Sequence, residues 1–505
     1  MYGYGKSDQP IVPRKERNKT MIKENQAKIV GSTKIGVADA LEGRGRIERN
    51  MVENNSCRTP SRERLQQALD RVRCVAEEQR CAKFTSIWHL AYDEDRLMKS
   101  FFAIKPQSAA GIDGETVQKY ERQLRENLTD LSSRLKRGAY HAKPVKRVYI
   151  PKSDGRLRPL GIPALEDKIV QRAAAEVLQA IYEVDFHDFS YGFRPGRSQH
   201  QALDTLAAGL EAKRLYWVLD ADIRGFFDNI DHEWLLRFLK HRIADKRVLR
   251  HVQKWLHAGV LEDGKVSVAE YGTPQGGSIS PLLANIYLHY AFDNWAAIWR
   301  QKVAVGQMQI VRFADDVVVC FERRDDAERF LAEMQKRLGK FHLELNMEKT
   351  RLIEFGRLPF QTRQKRGGEK LETFDFLGFT HYCGKARNGS FVVKRQTARK
   401  KMRSKLAEIV KELRKRMHES VKMVGVWLGQ MLKGHYQYYG VPFNSPKMNA
   451  FRYHVLCRWK CTLARRSQKA KDTWSRMKYL AKRYLPYPRI CHPNPPPQYS
   501  VIYSR

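Results

Sequence analysis

The chain has 505 residues, with 93 Lys and Arg against 55 Asp and Glu, a formal net charge of +38. A charge of that size calls for a polyanionic partner, nucleic acid or an acidic membrane surface. Apolar residues at 42% and aromatics at 10% exclude a wholly disordered basic tail. No run of about 18 apolar residues marks a membrane span, and no apolar stretch follows the first charges, so no secretory signal is expected. Eight cysteines are scattered without a CxxC pair, which suits thiols in a reducing cytoplasm. Cys457 and Cys461 share a helix face, but no companion Cys and His cluster follows, so they read as thiols rather than zinc ligands.

In chain order, residues 1–60 read as a polar leader. From Ser61 the stripe Leu65, Leu69, Val72, Val75 predicts a helix, and helical character continues to Phe102. Ala110 to Gly114 predicts a turn into a further helix. Val145 to Pro151 and Leu157 to Leu160, joined through Ser153-Asp154-Gly155, predict a hairpin, and a helix follows over Leu165–Tyr182. Leu215–Ile223 and Gln309–Phe321 are apolar, β-branched runs interrupted by carboxylates, with helical stretches between and after them. That mixture predicts an α+β core. From Phe391 onward there are 27 Lys and Arg against 4 Asp and Glu, so the last 115 residues carry +23 of the +38. That segment reads as helical from its start to about Arg483, with Lys394–Arg416 as one helix, and then as extended Pro-rich chain.

Three features bear on chemistry. Asp315-Asp316 lies within the apolar run Ile310 to Val319, where two adjacent carboxylates repel each other and resist desolvation. They need cations, or else the solvent of an exposed hairpin tip. Asp222 ends the apolar run that begins at Leu215, and a salt-bridge role there is the alternative to a functional one. If both segments share a sheet, their carboxylates converge on hard-oxygen ligation suited to Mg²⁺. Gly272 to Asn285 is a Gly-rich turn opening an apolar helix, a geometry that lets backbone approach a nucleotide closely.

With these in order, the chain resembles bacterial group II intron-encoded reverse transcriptases and maturases, of the type lacking an endonuclease. The motifs are Gly111-Ile112-Asp113-Gly114; Ile150-Pro151-Lys152 to Arg158-Pro159-Leu160; Ser190 to Ser198; the Asp222 block; Pro274-Gln275-Gly276; Asp315-Asp316; Glu348-Lys349-Thr350; and Phe376-Leu377-Gly378-Phe379. The resemblance implies a right-hand polymerase: an N-terminal extension and fingers at 61–210, and a palm at 211–385. A thumb and maturase region would follow at 386–470, then a basic, Pro-rich nucleic-acid-binding tail at 471–505. It implies two Mg²⁺ ions held by Asp222, Ile223, Asp315 and Asp316, and Lys349 as general acid for the leaving pyrophosphate. Lys152, Arg158, Ile223, Gln275 and Phe313 would meet the incoming deoxynucleotide, with Phe227 as the gate against a ribose 2′-hydroxyl. Phe313 stands where the family usually has Tyr; the lost hydroxyl is neither a metal ligand nor a needed proton donor. Arg194, Arg197, Gly378, Lys400, Lys401, Arg403, Arg465 and Arg466 would touch nucleic acid, with turn capping the other reading for Arg194 and Arg197.

In the C-terminal third, aromatics such as Trp427, Tyr436, Tyr438, Tyr439, Tyr453, Trp459 and Trp474 stand among basic residues, a mixture suited to stacking on unpaired bases and to core packing alike. The implied function is RNA-directed DNA synthesis from a primer 3′ end, with binding of the host intron RNA for splicing and mobility. The implied partners are intron RNA, an RNA template with a DNA or RNA primer, target DNA and deoxynucleotides. A homodimer stays open, and cytoplasmic or nucleoid-associated residence is expected. The rivals are a defence-associated or diversity-generating reverse transcriptase, and a splicing-only RNA-binding maturase.

Overall fold

A computed structural model describes residues 58–151, 157–262, 265–267, 272, 276–366, 370–466 and 473–493, all within the unit 49–505. The strands are β1 (Val145–Pro151), β2 (Leu157–Ile162), β3 (Trp217–Asp222), β4 (Val260–Glu262), β5 (Lys265–Ser267), β6 (Met308–Phe313), β7 (Asp316–Phe321), β8 (Arg351–Glu354), β9 (Phe374–Phe376), β10 (Phe379–Lys385) and β11 (Phe391–Thr397). They form three sheets, ordered β2-β1-β4-β5, β6-β7-β3-β8 and β11-β10-β9. The mixed helix-and-sheet architecture agrees with the sequence reading. Among the described residues no helix is long and apolar enough to cross a membrane.

The sheet β6-β7-β3-β8 is antiparallel throughout. It is covered on both faces, and this explains its continuous apolar runs. Ile310, Val317, Val319, Phe321, Leu219 and Ala221 join a large core with the helices on one side. Val311, Val318, Cys320 and Val218 join a second core with Leu203, Leu206 and Leu210 of the helix Gln199–Ala212. Side chains two apart share a face, so alternate residues feed alternate cores. The helix Gln199–Ala212 begins at a capping box in which Ser198 and Gln201 bond each other's backbone. A third core, built around Leu428, Leu432, Phe451 and Trp459, joins the helices Arg399–Lys415, Val421–Tyr439, Ser445–Ala464 and Trp474–Tyr484.

One expected element differs. The helix read from Lys394 starts only at Arg399, because Phe391–Thr397 is β11, paired along its length with β10. Val392 and Val393 favour the extended form, and Arg395 is buried against Asp204 at 2.8 Å, so its charge belongs to the sheet rather than to a cationic helix face.

Candidate active site

β3 and β7 pair with Asp222 opposite Asp316, and β6 and β7 with Phe313 opposite Asp316. The carboxylates of the two apolar runs therefore meet at one end of one sheet. The turn between β6 and β7 holds Ala314 and Asp315, and Ala314 has φ of 56°, a left-handed conformation that costs a non-glycine residue energy. Strand parity places Asp220, Asp222 and Asp316 on the face of Val218 and Val318.

Electrostatics mark this end as strained. The Asp316 carboxyl is pushed up to about 7, first by desolvation and then by the negative charges of Asp315, Asp222 and Asp220, with Lys401 acting the other way. Asp316 is nonetheless exposed, so the repulsion is the firmer of the two causes. Asp220 is pushed up to about 6 by desolvation, with Asp222 and Asp375 adding repulsion and Arg351 opposing them. Lys349 Nζ donates to Asp222 Oδ2 at 2.9 Å. Among the described residues no three His, Cys, Asp or Glu side chains are grouped closely enough to cage a metal ion. The donor chemistry still suits a hard divalent cation: the carboxylates share one strand end and repel one another, and Asp222 already holds a lysine as counter-charge.

The turn Glu348–Thr350 brings Lys349 here, as Lys349 N and Thr350 N bond Asn346 O while Asn346 N bonds Asp222 O at 2.8 Å. Ile223 is buried and bridges Leu345. Phe227 lies half-buried in the 3₁₀ turn Phe226–Asp228, which follows Gly225 in the left-handed region at φ 54°. Gly272 presses on that turn, and a Cβ there would stand 2.9 Å from Asp228 O. Phe313 is half-buried, its ring centroid 6.4 Å from that of the exposed Phe193. The backbone of Arg158 pairs with Ile150 in the hairpin, while Lys152 and Gln275 lie outside the described residues.

Gly378 occupies the β9–β10 turn at φ 81°, where Tyr438 Oη donates to Leu377 O at 2.8 Å. Lys401 Cγ would stand 3.9 Å from a Cβ on Gly378, so the start of the helix Arg399–Lys415 faces this turn, with Lys400, Lys401 and Arg403 exposed. Arg465 is exposed and Arg466 half-buried just past the helix Ser445–Ala464. Arg197 pairs with Asp188 at 2.7 Å. Arg194 is buried, and donates to Glu183 Oε2 at 2.9 Å and to the carbonyls of His187 and Ser190 at 2.7 and 2.8 Å.

Sequence reasoning gave no role to Asp220, although its spacing of two from Asp222 was a usable signal. It also missed Arg312, Asp293, Asn285 and Ser190, which support the turn from behind and are linked by no local pattern.

Residues 150–381 match the family model described as reverse transcriptase (RNA-dependent DNA polymerase). The chain is 37% identical over 274 residues to protein YkfC of Escherichia coli, a match covering 48% of this chain and 71% of the relative. It is 40% identical over 204 residues to the group II intron-encoded protein LtrA of Lactococcus lactis subsp. cremoris, covering 40% of this chain and 32% of the relative. A putative COX1/OXI3 intron 1 protein of Saccharomyces cerevisiae is 32% identical over 206 residues, covering 40% of this chain and 24% of the relative. The chain thus spans most of one relative and about a third or less of the other two.

Proposed function

Given that the chain belongs to the group II intron-encoded reverse transcriptases, we propose that it extends a primer 3′ end with deoxynucleotides on an RNA template. The observation that carries this is the meeting of Asp222 and Asp316 across β3 and β7, with Asp315 in the adjoining turn. Asp222, Asp315 and Asp316, with the Ile223 carbonyl, are the groups that would hold two Mg²⁺ ions. The bound ions supply Lewis acidity toward the primer hydroxyl and the phosphates.

The primer 3′-oxygen attacks the α-phosphorus of the nucleotide, the new O–P bond forms in line with the breaking bond to pyrophosphate, and the hydroxyl proton passes to solvent water. Lys349 Nζ, bonded to Asp222 Oδ2, delivers a proton to the leaving pyrophosphate. Phe227 excludes a 2′-hydroxyl by bulk. Lys152 and Arg158 neutralise the triphosphate, and Gln275 meets the nucleotide near its sugar. The residues at 61–210 act as fingers, those at 211–385 as palm and those beyond as thumb and maturase region. Gly378, Lys400, Lys401 and Arg403 hold the primer duplex, while Arg465, Arg466 and the remaining +23 segment bind intron RNA for splicing.

The test is primer extension on an RNA template with deoxynucleotides and Mg²⁺. Wild-type protein extends and Asp222→Ala does not; extension by Asp222→Ala refutes the assignment.

A further inference from the structure

Arg312 immediately precedes Phe313 but points to the opposite face of the sheet. Its side chain and that of Asp293 are both fully buried. Nε donates to Asp293 Oδ1 at 2.7 Å and Nη2 to Asp293 Oδ2 at 2.5 Å. Nη2 also donates to Ser190 Oγ at 2.7 Å, and Nη1 to Asn285 Oδ1 at 3.1 Å and Ala314 O at 2.9 Å. A guanidinium has five N–H groups, and each has an acceptor here. One of those acceptors is the carbonyl of the left-handed Ala314, joined directly to Asp315.

Asp293 owes its position to a π-helical turn, His289–Asp293, inserted between the helices Ser280–Leu288 and Asn294–Lys302. Such turns break helical register and recur at functional sites. The other side of the β6–β7 turn is closed as well. A Cβ on Gly192 would stand 2.2 Å from Ala314 N, and Asn285 Nδ2 fixes Gly192 O at 2.7 Å. Asn285 therefore serves both walls of the clamp. A buried ion pair is a poor way to gain stability compared with apolar packing, whereas a saturated guanidinium aimed at one carbonyl defines a position.

We propose that Arg312, held by Asp293, Asn285 and Ser190, is a positioning residue that fixes the Ala314 carbonyl and so aims the Asp315 carboxylate. The proposal rests on the polymerase assignment above. Lysine at 312 keeps the charge but cannot reach five acceptor atoms in a planar fork. Arg312→Lys should therefore keep primer–template affinity and deoxynucleotide KM. It should lose roughly 10- to 100-fold in kcat, as sub-ångström to ångström misplacement does. Its affinity for Mn²⁺, read by the EPR signal of the free ion without any turnover, should fall several-fold.

Wild-type kcat together with wild-type Mn²⁺ affinity in Arg312→Lys overturns the proposal. Should that variant fail to fold in a thermal melt, Ser190→Ala decides, since it removes one acceptor and spares the ion pair. A fall in kcat and Mn²⁺ affinity at unchanged template affinity supports positioning, and no change overturns it. An Asp315→Ala control separates the two claims. Extension lost there with Arg312→Lys unaffected defeats the positioning role alone, whereas extension retained by Asp315→Ala defeats the polymerase assignment beneath it.

Discussion

Replacing Gly192 with alanine probes how closely the segment Ser190–Phe193 presses on the carboxylate turn. The added Cβ would stand 2.2 Å from Ala314 N and 3.0 Å from both Ala314 Cα and Phe313 C. Non-bonded heavy atoms rest at about 3.5 Å, so something must retreat by roughly 1 Å. The atoms in the way are backbone, and the carbonyl of Ala314 is held from the other side by Arg312. Overpacking of this kind costs about 1–3 kcal/mol of stability, but a shift of about 1 Å at the reacting groups costs on the order of 100-fold in rate. Single-turnover addition of one deoxynucleotide to a primer on RNA should therefore slow roughly 100-fold in Gly192→Ala, while the melt shows a folded protein. Gly384→Ala is the control, since the atoms nearest its Cβ belong to the flexible end of Lys394, at 2.9 Å, and it should leave the rate unchanged. A wild-type rate in Gly192→Ala refutes the claim that this contact sets the turn.

Three further outcomes are expected. Phe227→Ala should incorporate ribonucleotides more readily, and unchanged discrimination in a competition between deoxy- and ribonucleotides would remove the gate. Asp167 is buried, and its carboxyl is pushed up to about 6, chiefly by desolvation, while Tyr140 and the Lys143 amide bond its charged form. Its ordinary value is lower, so stability is full below about pH 4 and is lost as pH rises through 6, by roughly 3 kcal/mol for a two-unit shift. Asp167→Asn should flatten that decline in urea unfolding between pH 4 and 7, leaving the share due to Asp185 and Asp220, also pushed up to about 6, and to Asp316, pushed up to about 7; an unaltered slope would contradict it. Gly434, within the helix Val421–Tyr439, has nothing within 4 Å of an added Cβ. Gly434→Ala should raise unfolding free energy by about 0.5–1 kcal/mol, and a lower midpoint would show an unseen constraint.

The carboxylate end of the sheet β6-β7-β3-β8 is legible because Asp220, Asp222, Asp315 and Asp316 interrupt apolar runs that burial alone would keep free of charge. The β1–β2 hairpin was legible from its alternation and its Asp-Gly tip. β11 was not, because its two basic residues continue into a basic helix and hide the change from strand to helical period. The partner of Arg194 is likewise invisible in the sequence: Glu183, eleven residues earlier, comes within 2.9 Å only in the fold. The Arg312–Asp293 pair depends on a π-helical turn, which leaves no period in the sequence, and on the bridge that brings Ser190 beside Arg312 of β6. Side chains joined by tertiary geometry alone carry no local signal.

In the proposed function, Asp222, Asp315 and Asp316 together perform templated DNA synthesis. Its most direct measurement is single-nucleotide addition to an RNA-templated primer by wild-type and Asp315→Ala proteins, at equal template occupancy and with Mg²⁺ in excess. Wild type should add the deoxynucleotide, and Asp315→Ala should bind the template equally well but add none. Addition by Asp315→Ala at the wild-type rate would contradict it.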